Sequence, residues 1–213
     1  MVCRLDDELW FPDPRYGDDD GCIAVGGDLS VDRLLLAYQN GIFPWFAFRY
    51  NEPMWFCPME RFVIFPSEIH VSHSMRTLIN KGQYRLSINE DFKGVIGNCS
   101  RLRIEESGAW LGPQMVDAYT ELHRQGFAAS VEVWEYEKLV GGLYGVCIGR
   151  VFCGESMFSL VPSASKLALI HLARTMQENG GLLIDCQFHT PHLESMGGRH
   201  INYDEYIKII STK

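Results

Sequence analysis

The stretch Arg150-Val151-Phe152-Cys153-Gly154-Glu155-Ser156-Met157-Phe158 reads as a buried strand, and the helix and strand after it decide the fold. After Ser163 a helix is expected as far as Gly180, apolar nearly all round its middle and therefore covered on most sides. Leu182 to Cys186 is a second apolar strand. Strand, helix and strand in that order make a parallel β-α-β unit with a right-handed crossover. Upstream, Ser130 to Trp134 alternates apolar and polar, a turn lies around Glu135-Tyr136-Glu137, and Leu139 to Ile148 continues with Gly141, Gly142 and Gly145. Glycines inside a strand mark a bulge or a close approach by something else. Phe62 to Phe65 and Tyr84 to Ile88 read as further strands, with helices starting near Ser72, over Asp91 to Cys99, and from Pro113 to Gly126. The expected class is α/β, or α+β with a mixed sheet, with helices on both faces.

Two carboxylates interrupt these apolar strands: Glu155 and Asp185. Ionised carboxylates are rarely buried unless paired or put to use, because lost hydration costs several kcal/mol or more. Asp185 and Gln187 are two residues apart and share a face if the strand continues through them. If the strands bearing Glu155 and Asp185 are neighbours, three polar heads converge. A carboxylate pair with an amide suits amine chemistry: one group binds an ammonium, the amide orients its partner, and a carboxylate of raised pKa accepts a proton. The same pattern also fits a buried network that anchors loops, and spacing alone leaves both readings open.

The remaining composition sets bounds. At 213 residues, with 46% hydrophobic and 22% charged, the chain fits one domain or a main domain with a small appendage. Residues 1 to about 65 are rich in Pro, Gly and aromatics. Ser30 and Gly41 bracket a short helix there, and Pro44 breaks the geometry beside Trp45. A formal charge of −8 argues against a broad basic nucleic-acid surface but leaves room for local groups such as Arg76, Lys81 and Arg85, or Arg101 and Arg103. Seven Cys, an odd number without a C-x-x-C pair, suit a reducing compartment. Met1 to Asp7 has no secretory pattern, and no apolar run approaches a membrane span, so a cytoplasmic protein is expected.

Weaker signals come with ordinary explanations. Ser163-Ala164-Ser165-Lys166 opens a helix, whose free N–H groups suit an anion but more simply make a capped end with a solvated Lys. Trp45 and Trp110 beside loops can sandwich a base or cover the core. His70/His73 and His189/His192 lack the further ligands a metal site needs, so no metal is expected. Cys186 falls on the face opposite Asp185, which argues against a cysteine nucleophile.

Taken together, Ala24-Val25-Gly26-Gly27-Asp28-Leu29-Ser30, Ala37 to Trp45, Gly154 to Ser159, Ala164-Ser165-Lys166 and Ile184-Asp185-Cys186-Gln187 resemble the leucyl/phenylalanyl-tRNA–protein transferases, over about residues 10 to 210. The resemblance implies an aminoacyltransferase that moves Leu or Phe, and also Met, from aminoacyl-tRNA onto an N-terminal Arg or Lys, marking the protein for degradation by the N-degron route. It implies a small N-terminal domain (1–62) joined to a transferase domain like the acetyl-CoA-dependent N-acetyltransferases, or GNAT-like (63–213). No cofactor is implied, and the consensus CoA pyrophosphate loop fails at Leu182. Carried over, Glu155, Asp185 and Gln187 are the polar centre. Trp45 and Trp110 hold the terminal adenosine, and Leu143, Phe152, Leu169 and Met176 surround the side-chain pocket. The expected partners are Leu-tRNA or Phe-tRNA and the acceptor protein, met by a monomer. The rivals are an N-acyltransferase fed by a thioester and a non-catalytic module binding peptides or tRNA ends.

Overall fold

The structure is a computed structural model that describes residues 2–47, 52–107 and 111–212. In chain order the strands are β1 (Cys3–Leu5), β2 (Cys22–Gly26), β3 (Phe43–Ala47), β4 (Glu52–Phe56), β5 (Glu60–Ile64), β6 (Arg85–Ile88), β7 (Ala128–Glu135), β8 (Lys138–Ile148), β9 (Val151–Ser159), β10 (Leu183–Asp185) and β11 (Arg199–Asn202). The helices are α1 (Val31–Gln39), α2 (His73–Asn80), α3 (Phe92–Ser107), α4 (Pro113–Arg124), α5 (Ala164–Glu178), α6 (Pro191–Ser195) and α7 (Tyr203–Ile210). Among the described residues a sheet in the order β1-β2-β4-β3 forms the N-terminal lobe, and a mixed sheet in the order β11-β5-β10-β9-β8-β7-β6 forms the body. The expected mixed α/β fold is therefore present.

The β9-α5-β10 unit is parallel as its sequence requires, with Phe152 opposite Ile184 and Cys153 opposite Asp185. Helices cover both faces of the large sheet. On one face α5 buries Leu167, Ala168, Leu169 and Leu172 against Leu143, Phe152 and Ile184. On the other, α1, α3, α4 and α7 pack with the N-terminal lobe through Tyr38, Val95, Tyr119 and Tyr206. Full burial of this many apolar side chains, at roughly 1.5–3 kcal/mol each, is the main force holding lobe and body together.

Local chemistry sets the ends. Ser30 Oγ accepts the Arg33 N–H at 3.3 Å to cap α1. Gly41 beyond its end takes φ +74°, where a side chain would press on the Tyr206 ring. At α5 the expectation differs from the structure. Ser163 has φ +69° and its side chain makes no cap. Ser159 Oγ instead accepts the Ser165 N–H at 2.8 Å, so the first turn is satisfied from the end of β9.

Candidate functional site

The site exists because two neighbouring strands part. β10 pairs with β9 only as far as Asp185. The next residues leave β9 and stay with β5: Cys186 N–H donates to Phe62 O at 2.9 Å, and Phe62 N–H donates to Gln187 O at 3.3 Å. Gln187 itself turns left-handed at φ +64°. β9 runs on to Ser159, so among the described residues its second half has no strand neighbour on that side and a wedge opens.

A second device aims Glu155 at the wedge. Gly145 pairs with Gly154, but Tyr144 pairs with Ser156, so Glu155 is the extra residue of a β-bulge. The bulge explains a change of phase along β9. Phe152 packs on the α5 face, whereas Phe158 packs on the opposite face. Strict alternation would put both on the same side. Gly145 is required across from the bulge, since a Cβ there would strike the Cys153 carbonyl and the Phe152 ring.

A cavity of about 440 Å³ fills the wedge, within the size range of small-molecule sites. Its floor is apolar, with Leu143, Phe152, Leu169, Leu172 and Ile184. Glu155, Asp185 and Gln187 contribute polar wall, and Trp45 with Phe188 stands at the rim. Trp45 is 40% exposed, and its ring centroid lies 6.0 Å from Phe188 and 6.1 Å from Phe56.

The polar centre splits into two linked groups. Glu155 Oε1 lies 2.7 Å from the Tyr38 hydroxyl and accepts Gln187 Nε2 at 2.9 Å. Its Oε2 lies 2.8 Å from the Tyr119 hydroxyl, and the two hydroxyls are 2.6 Å apart. Burial pushes the Glu155 carboxyl up to about 7, against the lowering pull of the Tyr38 and Tyr119 hydroxyls and with the Asp185 charge adding upward. Burial, then the nearness of Glu155, raises both tyrosines well above their ordinary value.

Asp185 is 0% exposed and is occupied by protein donors. Arg61 Nε donates to it at 2.9 Å, the Tyr206 hydroxyl at 2.8 Å and the Gln187 backbone N–H at 2.8 Å. Arg61 is sandwiched between the Phe43 and Tyr206 rings, 4.8 and 4.7 Å from their centroids, and Nη2 donates to Gly41 O at 2.7 Å. One guanidinium thus ties the segment leading into β3 to the turn that presents Gln187.

The structure brings several of the sequence-predicted residues together and leaves others apart. Glu155 and Gln187 meet, and Leu143, Phe152, Leu169 and Trp45 line one cavity with them. Asp185 is beside them, with its oxygens bonded to Arg61, Tyr206 and the Gln187 N–H. Gln187 reaches the site through a left-handed turn and not through strand alternation. Met176 is not in the lining; it packs near the end of α5, in the space a Gly181 side chain would occupy. Trp110 lies outside the described residues, as does the side chain of Arg103. In the basic group, Arg85 is paired with Glu90 at 2.5 Å, and Arg76 Nε donates to Val71 O at 3.1 Å. Among the described residues no group of His, Cys, Asp or Glu is placed to hold a metal ion, and no helix is long and apolar enough to cross a membrane.

Sequence reasoning missed Arg61, Tyr206, Phe188 and the roles of Tyr38 and Tyr119. Arg61 had a readable signal: a cation opening the apolar run Arg61-Phe62-Val63-Ile64, on a strand adjacent to one carrying a buried acid.

A family model described as leucyl/phenylalanyl-tRNA protein transferase matches residues 63–211, and the model of that family's N-terminal domain matches residues 27–59. The chain belongs to this family. It is 48% identical over 208 residues to the leucyl/phenylalanyl-tRNA–protein transferase of Flavobacterium johnsoniae, covering 97% of both chains. It is 49% identical to the protein of that name from Flavobacterium psychrophilum, over 97% of this chain and 98% of the relative. With that of Syntrophobacter fumaroxidans the identity is 46%, over 99% and 90%. Among solved structures, a conserved protein of unknown function from Bacteroides thetaiotaomicron is 11% identical with a TM-score of 0.49, over 89% of this chain and 65% of its own.

Proposed function

We propose that this chain transfers Leu or Phe, and also Met, from aminoacyl-tRNA to the N-terminal Arg or Lys of acceptor proteins. The observation that carries the reading is the pairing of an apolar cavity with a hydrogen-bonding centre at its wall. Leu143, Phe152, Leu169, Leu172 and Ile184 offer an apolar pocket to a side chain unbranched at Cβ, and the Glu155–Gln187 pair stands at its wall to meet the attached ester in this reading. Trp45 at the rim gives the terminal adenosine a stacking face, a contact worth about 1–3 kcal/mol. Trp110 is assigned to the same base by resemblance.

The donor ester is already activated, so positioning supplies much of the rate. Gln187 commits its amide nitrogen to Glu155, which leaves its amide oxygen as an acceptor for the incoming amine. Asp185 acts as a positioning residue: fixed by Arg61 and Tyr206, it holds the Gln187 N–H and so the turn. In this reading the N-terminal unit and the transferase unit, divided near residue 62, jointly build the site. β5 pairs with β11 in the large sheet from Glu60 onward.

The test is direct: labelled Leu-tRNA is incubated with peptides beginning with Lys, Arg or Ala. Label on the N-terminus of the Lys and Arg peptides alone is the expected result. No transfer to any peptide, or transfer abolished by competing CoA, refutes the reading.

A further inference from the structure

Three oxygen atoms of the polar centre form a closed triangle of contacts, and the protons available to an ionised site do not suffice for it. The Tyr38 hydroxyl lies 2.7 Å from Glu155 Oε1, the Tyr119 hydroxyl 2.8 Å from Glu155 Oε2, and the two hydroxyls 2.6 Å from each other. Each separation is of normal O–H···O length, which requires a hydrogen between the oxygens. Each tyrosine hydroxyl has one hydrogen to give, and an ionised carboxylate has none. Two hydrogens cannot occupy three contacts. With Glu155 ionised, one pair of oxygens would be pressed together with only lone pairs between them, in a buried setting where an unmade hydrogen bond is expensive.

We propose that Glu155 carries a proton in the resting site, and that Glu155, Tyr38 and Tyr119 form a closed ring of three hydrogen bonds running in one direction. In one sense of the ring, the carboxyl O–H donates to Tyr119, Tyr119 donates to Tyr38, and Tyr38 donates to the other carboxyl oxygen. The reverse sense satisfies the same contacts. Every group then gives one hydrogen and accepts one, counting the carboxyl as a unit, and such closed chains strengthen one another. Glu155 Oε1 still accepts from Gln187 Nε2.

Burial and the Asp185 charge favour the neutral form, against the pull of the hydrogen bonds from Tyr38, Tyr119 and Gln187. From β10, Asp185 opposes a second negative charge, and Arg61 from β5 is spent on Asp185. From α1 and α4 the titratable groups facing Glu155 are Tyr38 and Tyr119 themselves, both held in their protonated state. On its own strand Cys153 is a buried thiol raised well above its ordinary value by burial and then by Asp185. Tyr144 from β8 lies edge-on to Tyr119, with ring centroids 5.5 Å apart.

Tyr38 and Tyr119 are on this account positioning residues, and they come from α1 of the N-terminal lobe and α4 of the body. The ring also leaves the cavity wall without net charge, since Asp185 is balanced by Arg61 and Glu155 by its proton. The acceptor amine therefore enters as the free base, a consequence that rests on the transfer reading above. As the new C–N bond forms and the ester C–O bond breaks, the nitrogen loses one proton and the departing ribose oxygen gains one. The site keeps its three protons throughout.

The proton can be observed without any substrate, so the result is independent of whether transfer occurs. Infrared difference spectra of protein carrying ¹³C-labelled Glu are compared with those of Glu155→Gln at about pH 6. The expected result is an isotope-sensitive C=O stretch of a protonated carboxyl that is missing from Glu155→Gln and fades above neutral pH. In Tyr119→Phe, which keeps the ring packing but opens the cycle, that band moves to higher frequency. Should Glu155→Gln not fold, the titration of the band in labelled wild-type protein and its shift in Tyr119→Phe carry the test. Absence of a protonated-carboxyl band at that pH overturns the proposal, and a band unmoved by Tyr119→Phe overturns the ring.

Discussion

Replacing Arg61 by Met probes the structural claim on which Gln187 depends. Arg61 is 2% exposed and Asp185 0%, with Nε 2.9 Å from Oδ1, so the substitution strands a carboxylate away from water. Breaking a buried pair by removing one partner costs about 3–5 kcal/mol. Met restores much of the apolar contact with Phe43 and Tyr206, which keeps packing loss small, although the bond to Gly41 O is lost as well. For a chain of this size each kcal/mol moves Tm by roughly 2–4 °C, so a fall on the order of 10 °C is expected. Urea unfolding followed by fluorescence and by circular dichroism supplies ΔΔG and checks that the transition is two-state. Asp185→Asn in the Arg61→Met background removes the stranded charge, and the double variant should be more stable than the sum of the single losses allows. A loss below about 1 kcal/mol for Arg61→Met, or strictly additive losses in the pair, would show that Asp185 is not held as described.

The Glu155 carboxyl, raised from its ordinary 4.5 to about 7, makes stability depend on pH. The folded state keeps a proton that the unfolded chain releases, so stability is fullest below 4.5, falls through the window up to 7 and is level above it. At 1.36 kcal/mol per unit, reduced for its partial exposure to the cavity, the fall is about 2–3 kcal/mol; Glu155→Gln should abolish that slope in urea titrations between acid and neutral pH, and an unchanged slope would count against it. Gly145→Ala drives a methyl into the Cys153 carbonyl opposite the bulge and should cost more than about 1 kcal/mol while reducing transfer, measured by thermal unfolding and by the labelled-peptide assay. Trp45→Ala, at an exposed rim position, should leave Tm nearly unchanged but weaken binding of an adenosine-terminated aminoacyl analogue about tenfold or more, as titrated by quenching of intrinsic fluorescence.

The framework was legible wherever one side chain type repeats with a clear period. The β9-α5-β10 crossover, the β7-β8 hairpin and the capped α1 all follow from apolar spacing with Gly, Pro or Ser at the ends. Glu155 and Asp185 stood out as acids in strands meant for hydrocarbon. Their surroundings did not, because those come from residues far off in sequence: Tyr38 is 117 positions from Glu155, and Arg61 is 124 from Asp185. Alternation placed Gln187 beside Asp185 for a reason that does not hold, since β10 ends first and a backbone turn does the work. Met176 resembles its neighbours on α5 in type, but the cavity stops short of it. The bulge left one trace in sequence, Gly145, where a side chain would strike the Cys153 carbonyl and the Phe152 ring.

That single surplus residue lets one strand serve two interiors. Ahead of it, Phe152 belongs with α5; past it, Phe158 belongs with α3 and the N-terminal lobe. Straightening β9 with Glu155 kept in the ladder would exchange inside for outside along everything from Ser156 to Ser159, whereas deleting Glu155 would leave Ser156 opposite Tyr144 and both faces unchanged. The acid, while present, is thus held out of the ladder by the hydrocarbon downstream of it, which has nowhere else to go.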